Sequence, residues 1–236
     1  MLPWESLPVF RKREIYRMPS VSSILMALNR NRSPVIDPLK SFYLINPSGD
    51  LLDTQSQFEN LFQQQQIQGK AGTAPTVEEL TSALENHDVF IYMGHGSGER
   101  YISNKEVETL EECAGSVLLG CSSGCLTLTG AYGPYGAPLS YLMGGSPFIV
   151  ANLWDVTGLD IDRFGKTLLQ GFLSKSENCD QCERGRISTE MTPLVCSHRT
   201  VGALMSEARD ACRLPFLTGA APVCYGVPTI ICRNNS

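Results

Sequence analysis

Three short apolar runs constrain the fold of this 236-residue chain more than any other feature. Each run has few polar residues and ends in small or turn-forming residues, and their sequences are DVFIYMG (88–94), SVLLG (116–120) and PFIVANLW (147–154). A strand that is apolar on both faces is typical of a sheet covered by helices on both sides. The runs therefore predict central strands of a parallel or mostly parallel sheet.

Segments with helical periodicity alternate with these runs. Thr76 and Glu79 have the spacing of a capping box, which predicts a helix over 76–86. A strand is predicted at 41–46, and further helices are predicted at 54–66, 160–173 and 200–214. Strands that alternate with helices indicate the α/β class. We expect a single domain over 1–236, with an irregular, proline-punctuated N-terminal segment (1–40) and a polar surface insertion (174–198).

The composition argues against several classes of function. A net charge of −5 and a pI near 5.3 are atypical of nucleic-acid-binding proteins. No stretch approaches the roughly 20 apolar residues that a membrane-spanning helix needs, and the first ten residues lack the pattern of a signal peptide. We therefore expect an intracellular protein that binds neither nucleic acid nor membrane. Its nine cysteines, an odd number, are then expected to be reduced thiols.

Two loops of similar design follow two of the predicted strands. One contains Gly94-His95-Gly96 and the other contains Gly120-Cys121. Because the carboxyl ends of parallel strands lie at one edge of a sheet, His95 and Cys121 are expected close together. A cysteine nucleophile needs an acid–base partner, and its acyl intermediate needs N–H donors that glycine-rich backbone can supply. The pattern predicts Cys121 as a nucleophile and His95 as its partner.

Each of these residues also has a simpler explanation. A loop histidine can be an ordinary surface or capping residue, although His95 is the only histidine expected at the edge that holds Cys121. A free cysteine packs like a small hydrophobic residue, an explanation that suits better the four cysteines in helical or apolar patterns, Cys113, Cys212, Cys224 and Cys232. The Gly-x-Cys-x-Gly elbow of hydrolases and the dinucleotide-binding glycine spacing are both absent from the sequence.

Further motifs resemble the catalytic domain of separases, a family of caspase-like cysteine endopeptidases. The histidine and cysteine motifs alone are similar to the wider caspase-like clan. The resemblance to separases rests on motifs found in family order through nearly the whole chain, among them LPWESLPV, YRMPS, FYLINP, NLWDVTGLDIDRF, LLQGFL and EARDACRLPFLTGAAPVCYGVP. It implies a caspase-like three-layer α/β/α sandwich with a mostly parallel central sheet.

The resemblance also implies a reaction. Separases cleave peptide bonds after arginine, usually in a Glu-x-x-Arg context, in the kleisin subunit of cohesin, and so release sister chromatids at anaphase. By the match of motifs, Cys121 attacks the scissile carbonyl, His95 protonates the leaving amine, and the backbone N–H groups of Gly96 and Cys121 bind the oxyanion. The resemblance implies no cofactor, a securin-like inhibitory protein as a partner, and a location in cytoplasm and nucleus.

An arginine substrate needs a carboxylate that can accept its several N–H donors. The segment NLWDVTGLDIDRF (152–164) supplies three aspartates just after the last of the predicted central strands. We expect Asp155 and Asp162 to bind the guanidinium group, with Trp154 as an apolar wall. Asp160 lies where the start of a helix favours acidic residues, so we expect it to be structural.

Three alternatives remain open on the sequence. The insertion contains four side chains of zinc-binding type at an unusual spacing, Cys179, Cys182, Cys196 and His198, for which a reduced loop without metal is the main expectation. The chain could also be a catalytically silent caspase-like module that binds securin-like or kleisin peptides without cleavage, or another peptidase of the clan. The presence of both His95 and Cys121 favours an enzyme.

Overall fold

The structure, a computed structural model, describes residues 2–29, 35–128, 130, 133–174 and 199–233. Nine strands form in these residues: β1 (Val35–Ile36), β2 (Ser41–Ile45), β3 (Gln68–Ala71), β4 (Val89–Met93), β5 (Gly115–Leu118), β6 (Phe148–Asn152), β7 (Arg199–Thr200), β8 (Pro222–Gly226) and β9 (Ile230–Ile231). The central sheet has the strand order β3-β2-β4-β5-β6-β8, and a small sheet has the order β1-β9-β7. Every pairing in the central sheet is parallel except that of β6 with β8. The prediction of a mostly parallel sheet is therefore confirmed.

The same residues form seven α-helices: α1 (Val21–Asn29), α2 (Leu52–Gln64), α3 (Val77–Asn86), α4 (Asn104–Glu108), α5 (Ala137–Met143), α6 (Gly158–Leu173) and α7 (Val201–Ala208). The predicted capping box is present at the start of α3, where Thr76 and Glu79 each accept a hydrogen bond from the backbone N–H of the other. Of the helices described, none combines the length and the apolar character needed to cross a membrane.

Two hydrophobic clusters, one on each face of the sheet, form the core. The alternation along β4 shows the division, because Ile91 packs into one cluster and Tyr92 into the other. The first cluster includes buried residues of α2, α6 and α7, and the second includes buried residues of α3, α4 and α5. Helices thus cover the sheet on both sides, which explains why its central strands are apolar on both faces.

The structure corrects several boundaries. The segment 1–40 is not irregular throughout, because α1 forms after Pro19, where the Ser20 hydroxyl accepts a hydrogen bond from the N–H of Ser23 and no further proline interrupts the helix. The helix predicted at 54–66 ends at Gln64, and after a short turn β3 begins at Gln68. The helix predicted at 200–214 is shorter, because α7 ends at Ala208 and a 3₁₀ turn follows. Residues 175–198 of the predicted insertion lie outside the described residues.

Candidate active site

The histidine loop, residues 94–98, follows β4 and folds over the buried side chain of Tyr92. The Tyr92 hydroxyl donates a hydrogen bond to the carbonyl oxygen of His95 at 2.7 Å. A Cβ atom at Gly94 would lie 2.5 Å from that hydroxyl oxygen, so only glycine allows the loop this close to the ring. Gly96 has φ +63°, a left-handed conformation that glycine adopts without strain.

The cysteine loop, residues 119–125, follows β5 and is hydrogen-bonded to the end of β6 and to Trp154, which lies just after it. The backbone N–H of Ser122 donates to the carbonyl of Trp154 at 3.1 Å, and that of Gly124 donates to the carbonyl of Asn152 at 2.7 Å. Ser122 has φ +53°, which is uncommon for a residue with a side chain. These backbone contacts hold the residues around Cys121 in one conformation.

Cys121 differs from the core cysteines in its surroundings. It is half-buried, and its thiol lies 3.4 Å from the carbonyl oxygen of Val156. The predicted core positions of Cys113, Cys212 and Cys224 are confirmed, and burial raises the pKa of the Cys212 thiol to about 12. Cys232 is only half-buried, which corrects its assignment to the core. None of the six cysteines in the described residues belongs to a disulfide.

The two loops contact each other directly at Gly120. A Cβ atom at this position would collide with the backbone carbonyl oxygens of Gly94 and Gly96. Since β4 and β5 are adjacent parallel strands, the loops leave the same edge of the sheet, as the sequence predicts. The side chains of His95 and Cys121 do not hydrogen-bond to each other; each has another partner in the loops around it.

The partner of His95 is Asp50, which the sequence analysis missed. The imidazole Nε2 lies 2.8 Å from Oδ2 of Asp50, and both side chains are exposed. The hydrogen bond from His95 lowers the pKa of the Asp50 carboxyl below its ordinary value. Asp50 belongs to the turn after β2, and β2 is the neighbour of β4 in the sheet. Like His95, Asp50 follows the carboxyl end of a strand in the parallel sheet. Its closeness to His95 could be predicted only if β2 were known to lie beside β4.

The two aspartates expected to bind arginine have different environments. Asp155 is exposed and accepts a hydrogen bond from the hydroxyl of Ser122, the residue after the predicted nucleophile, at 2.7 Å. Asp162 is buried on α6 and accepts a hydrogen bond from the hydroxyl of Thr54 on α2 at 2.9 Å. Desolvation raises the pKa of the Asp162 carboxyl above its ordinary value. Asp162 is therefore a buried acid that would gain from a cationic partner.

Asp160 has a structural role, although it does not cap its own helix. Its carboxylate accepts hydrogen bonds from the backbone N–H groups of Arg213 and Leu214, at 2.7 and 3.0 Å, and from the side chain of Arg163 at 3.0 Å. Burial on its own would raise the pKa of Asp160, but these donors outweigh it and hold the pKa below its ordinary value. Asp160 thus joins the start of α6 to the segment after α7.

Trp154, expected as an apolar wall, is half-buried against the second hydrophobic cluster. Its indole Nε1 donates a hydrogen bond to the carbonyl of Leu217 at 3.0 Å, so the ring is tied to the loop before β8. The four candidate zinc ligands, Cys179, Cys182, Cys196 and His198, lie outside the described residues. Within the described ranges, no group of three or more His, Cys, Asp or Glu side chains could hold a metal ion.

Comparison with known proteins connects this site to a family. Residues 1–161 match the family model described as "Separin, protease domain". The separin of Emericella nidulans is 39% identical to this chain over 238 residues, which cover 98% of the chain and 11% of that protein. The chain belongs to the separin protease-domain family. The resemblance drawn from the sequence motifs is thereby confirmed.

Solved structures of this family have the same fold. In a crystal structure of the Saccharomyces cerevisiae separase–securin complex, the match to this chain has a TM-score of 0.81 at 33% identity and covers 96% of this chain and 15% of that one. A second match is a solved complex of the pro- and mature domains of RgpB from Porphyromonas gingivalis. It has a TM-score of 0.60 at 16% identity and covers 89% of this chain and 53% of that chain. The second likeness concerns the fold alone. The expected caspase-like α/β/α sandwich is confirmed.

The separin relatives are far longer than this chain. The chain spans 11% of the Emericella nidulans protein and 12% of the Schizosaccharomyces pombe protein. The matched region therefore corresponds to the protease domain of much larger proteins.

Proposed function

We propose that this chain is the catalytic part of a separase-type cysteine endopeptidase that cleaves after arginine. The observation that carries the proposal is the contact of the two loops at Gly120, which packs against the carbonyls of the histidine loop. The loops that carry Cys121 and His95 leave neighbouring parallel strands at one edge of the sheet, which supports the proposal. A nucleophile, an acid–base group and glycine-rich backbone at one edge are the parts that acyl transfer requires.

In the proposed reaction, the Cys121 thiolate attacks the scissile carbonyl carbon and forms a C–S bond. The negative charge moves to the carbonyl oxygen, where the backbone N–H groups of Gly96 and Cys121 stabilise it. The C–N bond then breaks as protonated His95 gives its proton to the leaving amine. Water then attacks the acyl carbon while His95 accepts a proton from it, and the C–S bond breaks, which releases the new carboxyl terminus and restores the Cys121 thiolate beside protonated His95. Asp50 orients the imidazole through the 2.8 Å contact to Nε2.

Acidic side chains support the preference for arginine. Asp155 lies beside the cysteine loop, and the buried Asp162 accepts only one side-chain hydrogen bond among the described residues. A buried carboxyl with a raised pKa has most to gain when a guanidinium group enters, because the cation stabilises its charged form. We assign arginine binding to Asp155 and Asp162, with Trp154 as the apolar wall for the methylene groups of the side chain.

The substrate and partner follow from the family. The solved relatives from Saccharomyces cerevisiae are complexes of separase with securin. By extension, this chain binds a securin-like inhibitory protein and cleaves the kleisin subunit of cohesin at a Glu-x-x-Arg sequence. These roles assign the protein to chromosome segregation and to the cytoplasm and nucleus.

A panel of fluorogenic peptides tests the proposal. Cleavage of peptides with Arg, Lys, Asp or Asn at the cleaved position is measured for wild type, Cys121→Ser and His95→Ala. Cys125→Ser serves as a matched control because Cys125 is an exposed thiol of the same loop. We expect cleavage of the arginine peptide alone, with losses of about 10³-fold or more in kcat for the two site variants. Full activity in Cys121→Ser, or preference for another residue, would contradict the proposal.

The alternative of a silent binding module is not favoured. Both Cys121 and His95 are present, and the loops that carry them are in contact. Fluorescence anisotropy with a labelled Glu-x-x-Arg peptide separates the two functions. With a silent module the anisotropy rises on binding and stays constant, because the peptide remains intact. With an enzyme the anisotropy falls again as the labelled fragment is released.

A further inference from the structure

Two backbone carbonyls at the site are held by buried side chains. The carbonyl of His95 accepts a hydrogen bond from the Tyr92 hydroxyl at 2.7 Å. The carbonyl of Gly120 accepts one from the Asn152 side-chain nitrogen Nδ2 at 3.1 Å. Tyr92 is 1% exposed and Asn152 is fully buried. Both carbonyls are therefore directed towards the protein interior.

The direction of each carbonyl fixes the direction of an N–H group. In a trans peptide unit the C=O and the following N–H point in opposite directions, and no described peptide bond is cis. The N–H of Gly96 shares a peptide unit with the carbonyl of His95, and the N–H of Cys121 shares one with the carbonyl of Gly120. Anchoring these carbonyls inward turns both N–H groups away from the interior. Neither N–H donates a hydrogen bond to any described part of the chain.

We propose that Tyr92 and Asn152 are positioning residues that orient the oxyanion-binding N–H groups of Gly96 and Cys121. The inference rests on the proposed function and adds two residues that contact no substrate. Preorganised donors lower the barrier most when they need no reorientation as charge develops on the carbonyl oxygen. A donor that could rotate towards the interior would lose this advantage.

The position of the two anchors fits this role. Tyr92 lies on β4 and Asn152 at the end of β6, the two strands that pair with β5, so they hold the peptide units of the two loops from either side. Contact at Gly120 brings the two peptide units together, because its missing Cβ leaves room for the carbonyls of Gly94 and Gly96. One anchor thus serves each of the two donors.

One feature of Asn152 is unfavourable for the stability of the fold. Its side-chain oxygen Oδ1 is buried and has no hydrogen-bond partner among the described residues. The Gly120 carbonyl can only accept, so the amide nitrogen must face it and the oxygen is left unpaired. An unpaired buried acceptor reduces stability. The residue is therefore better explained by the orientation that it gives to the Gly120–Cys121 peptide than by stability.

The test compares Tyr92→Phe and Asn152→Ala with two controls. Tyr225→Phe removes a buried hydroxyl that donates to the carbonyl of Gly124, whose peptide partner, the N–H of Cys125, is already bonded within the loop. Ser146→Ala removes a buried hydroxyl whose single hydrogen is shared between the carbonyl oxygens of Ala114 and Phe148, near the amino ends of β5 and β6. Both controls remove buried hydrogen bonds of the same kind without changing the direction of either oxyanion donor.

Four quantities are measured: kcat and KM on an arginine peptide, the inhibition constant of a peptidyl-arginine aldehyde, and the rate of alkylation by iodoacetamide. The aldehyde forms a tetrahedral adduct whose oxygen occupies the oxyanion position, whereas alkylation is a displacement at carbon that develops no such oxygen. We expect each variant to lower kcat by about 10- to 100-fold, with KM and alkylation within about threefold of wild type. Aldehyde binding should weaken in parallel with kcat, and both controls should retain kcat.

Two outcomes would overturn the inference. In one, wild type cleaves the peptide and the variants keep kcat and aldehyde affinity. In the other, the loss in kcat is matched by equal losses in alkylation rate, which shows that the side chains only hold the loop folded. Failure of the proposed function looks different, because wild type itself would then neither cleave the peptide nor bind the aldehyde.

Discussion

Replacing Gly120 with alanine tests the loop contact on which the active-site geometry depends. The glycine is not in the left-handed region, so the cost of a methyl group here is steric and not conformational. The added Cβ would lie 2.5 Å from the carbonyl oxygen of Gly94, whereas ordinary contact begins at 3.4 Å. The carbonyl of Gly96 is closer still. Both neighbours are backbone atoms, which cannot rotate away as the end of a side chain can.

The magnitude follows from the displacement required. Relief of the Gly94 contact alone needs the two loops to separate by 0.9 Å, the difference between the contact at 2.5 Å and the 3.4 Å limit. Misplacement of a catalytic group by about 1 Å can reduce the rate by about 10²-fold. We therefore expect Gly120→Ala to lower kcat/KM on an arginine peptide by about 10²-fold or more.

The matched control is Gly133→Ala, because a Cβ at Gly133 would have no atom of the described residues within 4 Å. Both variants are assayed for kcat/KM and for thermal unfolding. The control should keep wild-type activity, and Gly120→Ala should lose activity while it still unfolds cooperatively. Activity of Gly120→Ala within threefold of the control would show that the two loops need not be in contact, and the reasoning would be wrong.

Three further predictions concern the acids. Asp160→Ala removes a buried carboxylate with three donors and should lower the free energy of unfolding by about 3 kcal/mol; because its folded pKa is lowered, this stabilisation holds above the unfolded pKa and fades as pH falls through the folded pKa. Asp162→Asn should raise the free energy of unfolding at neutral pH, since a raised folded pKa costs stability increasingly as pH rises from the unfolded to the folded pKa, and should lower kcat/KM for arginine peptides about 10- to 100-fold. Asp50→Asn should lower kcat by about tenfold, because the charged carboxylate that orients the His95 imidazole is replaced by a neutral amide.

Urea unfolding at several pH values measures the two stability predictions, and steady-state rates on an arginine peptide measure kcat/KM for Asp162→Asn and kcat for Asp50→Asn. Asp210→Asn is a suitable control for the stability series, since its ion pair with Arg11 is on the surface and should contribute little. A pH-independent difference between wild type and Asp162→Asn would contradict the burial argument. An unchanged kcat for Asp50→Asn would show that the contact with His95 does not affect the reaction.

The strands that the sequence predicts are those whose burial is visible in their residues. β2, β4, β5 and β6 are apolar on both faces because helices cover both sides of the sheet. β3 has the sequence Gln-Gly-Lys-Ala, and as an edge strand with little buried side chain it carries no such pattern. β8 is fully buried, but it is bounded by proline and glycine and lies in a segment that also looks like a loop.

The site residues also differ in whether local sequence patterns predict them. His95 and Cys121 could be predicted because each follows an apolar strand directly, and the position of a strand end is local information. Asp50 could not, because its closeness to His95 depends on β2 lying beside β4, which no local pattern encodes. Tyr92 and Asn152 resemble ordinary strand residues, and their importance follows only from the direction of the carbonyls that they bind.

The most direct test of Cys121 and His95 as the catalytic pair is to find which residue a thiol-trapping peptide modifies. The folded protein is treated with a peptidyl-arginine acyloxymethyl ketone, which reacts with a thiolate held near an arginine-binding site, and the modified residue is identified by mass spectrometry. We expect a single adduct on Cys121, slower labelling in His95→Ala, and no adduct with an aspartyl analogue of the reagent. An adduct on a different cysteine, or labelling of Cys121 at the same rate in His95→Ala, would contradict the proposed catalytic pair.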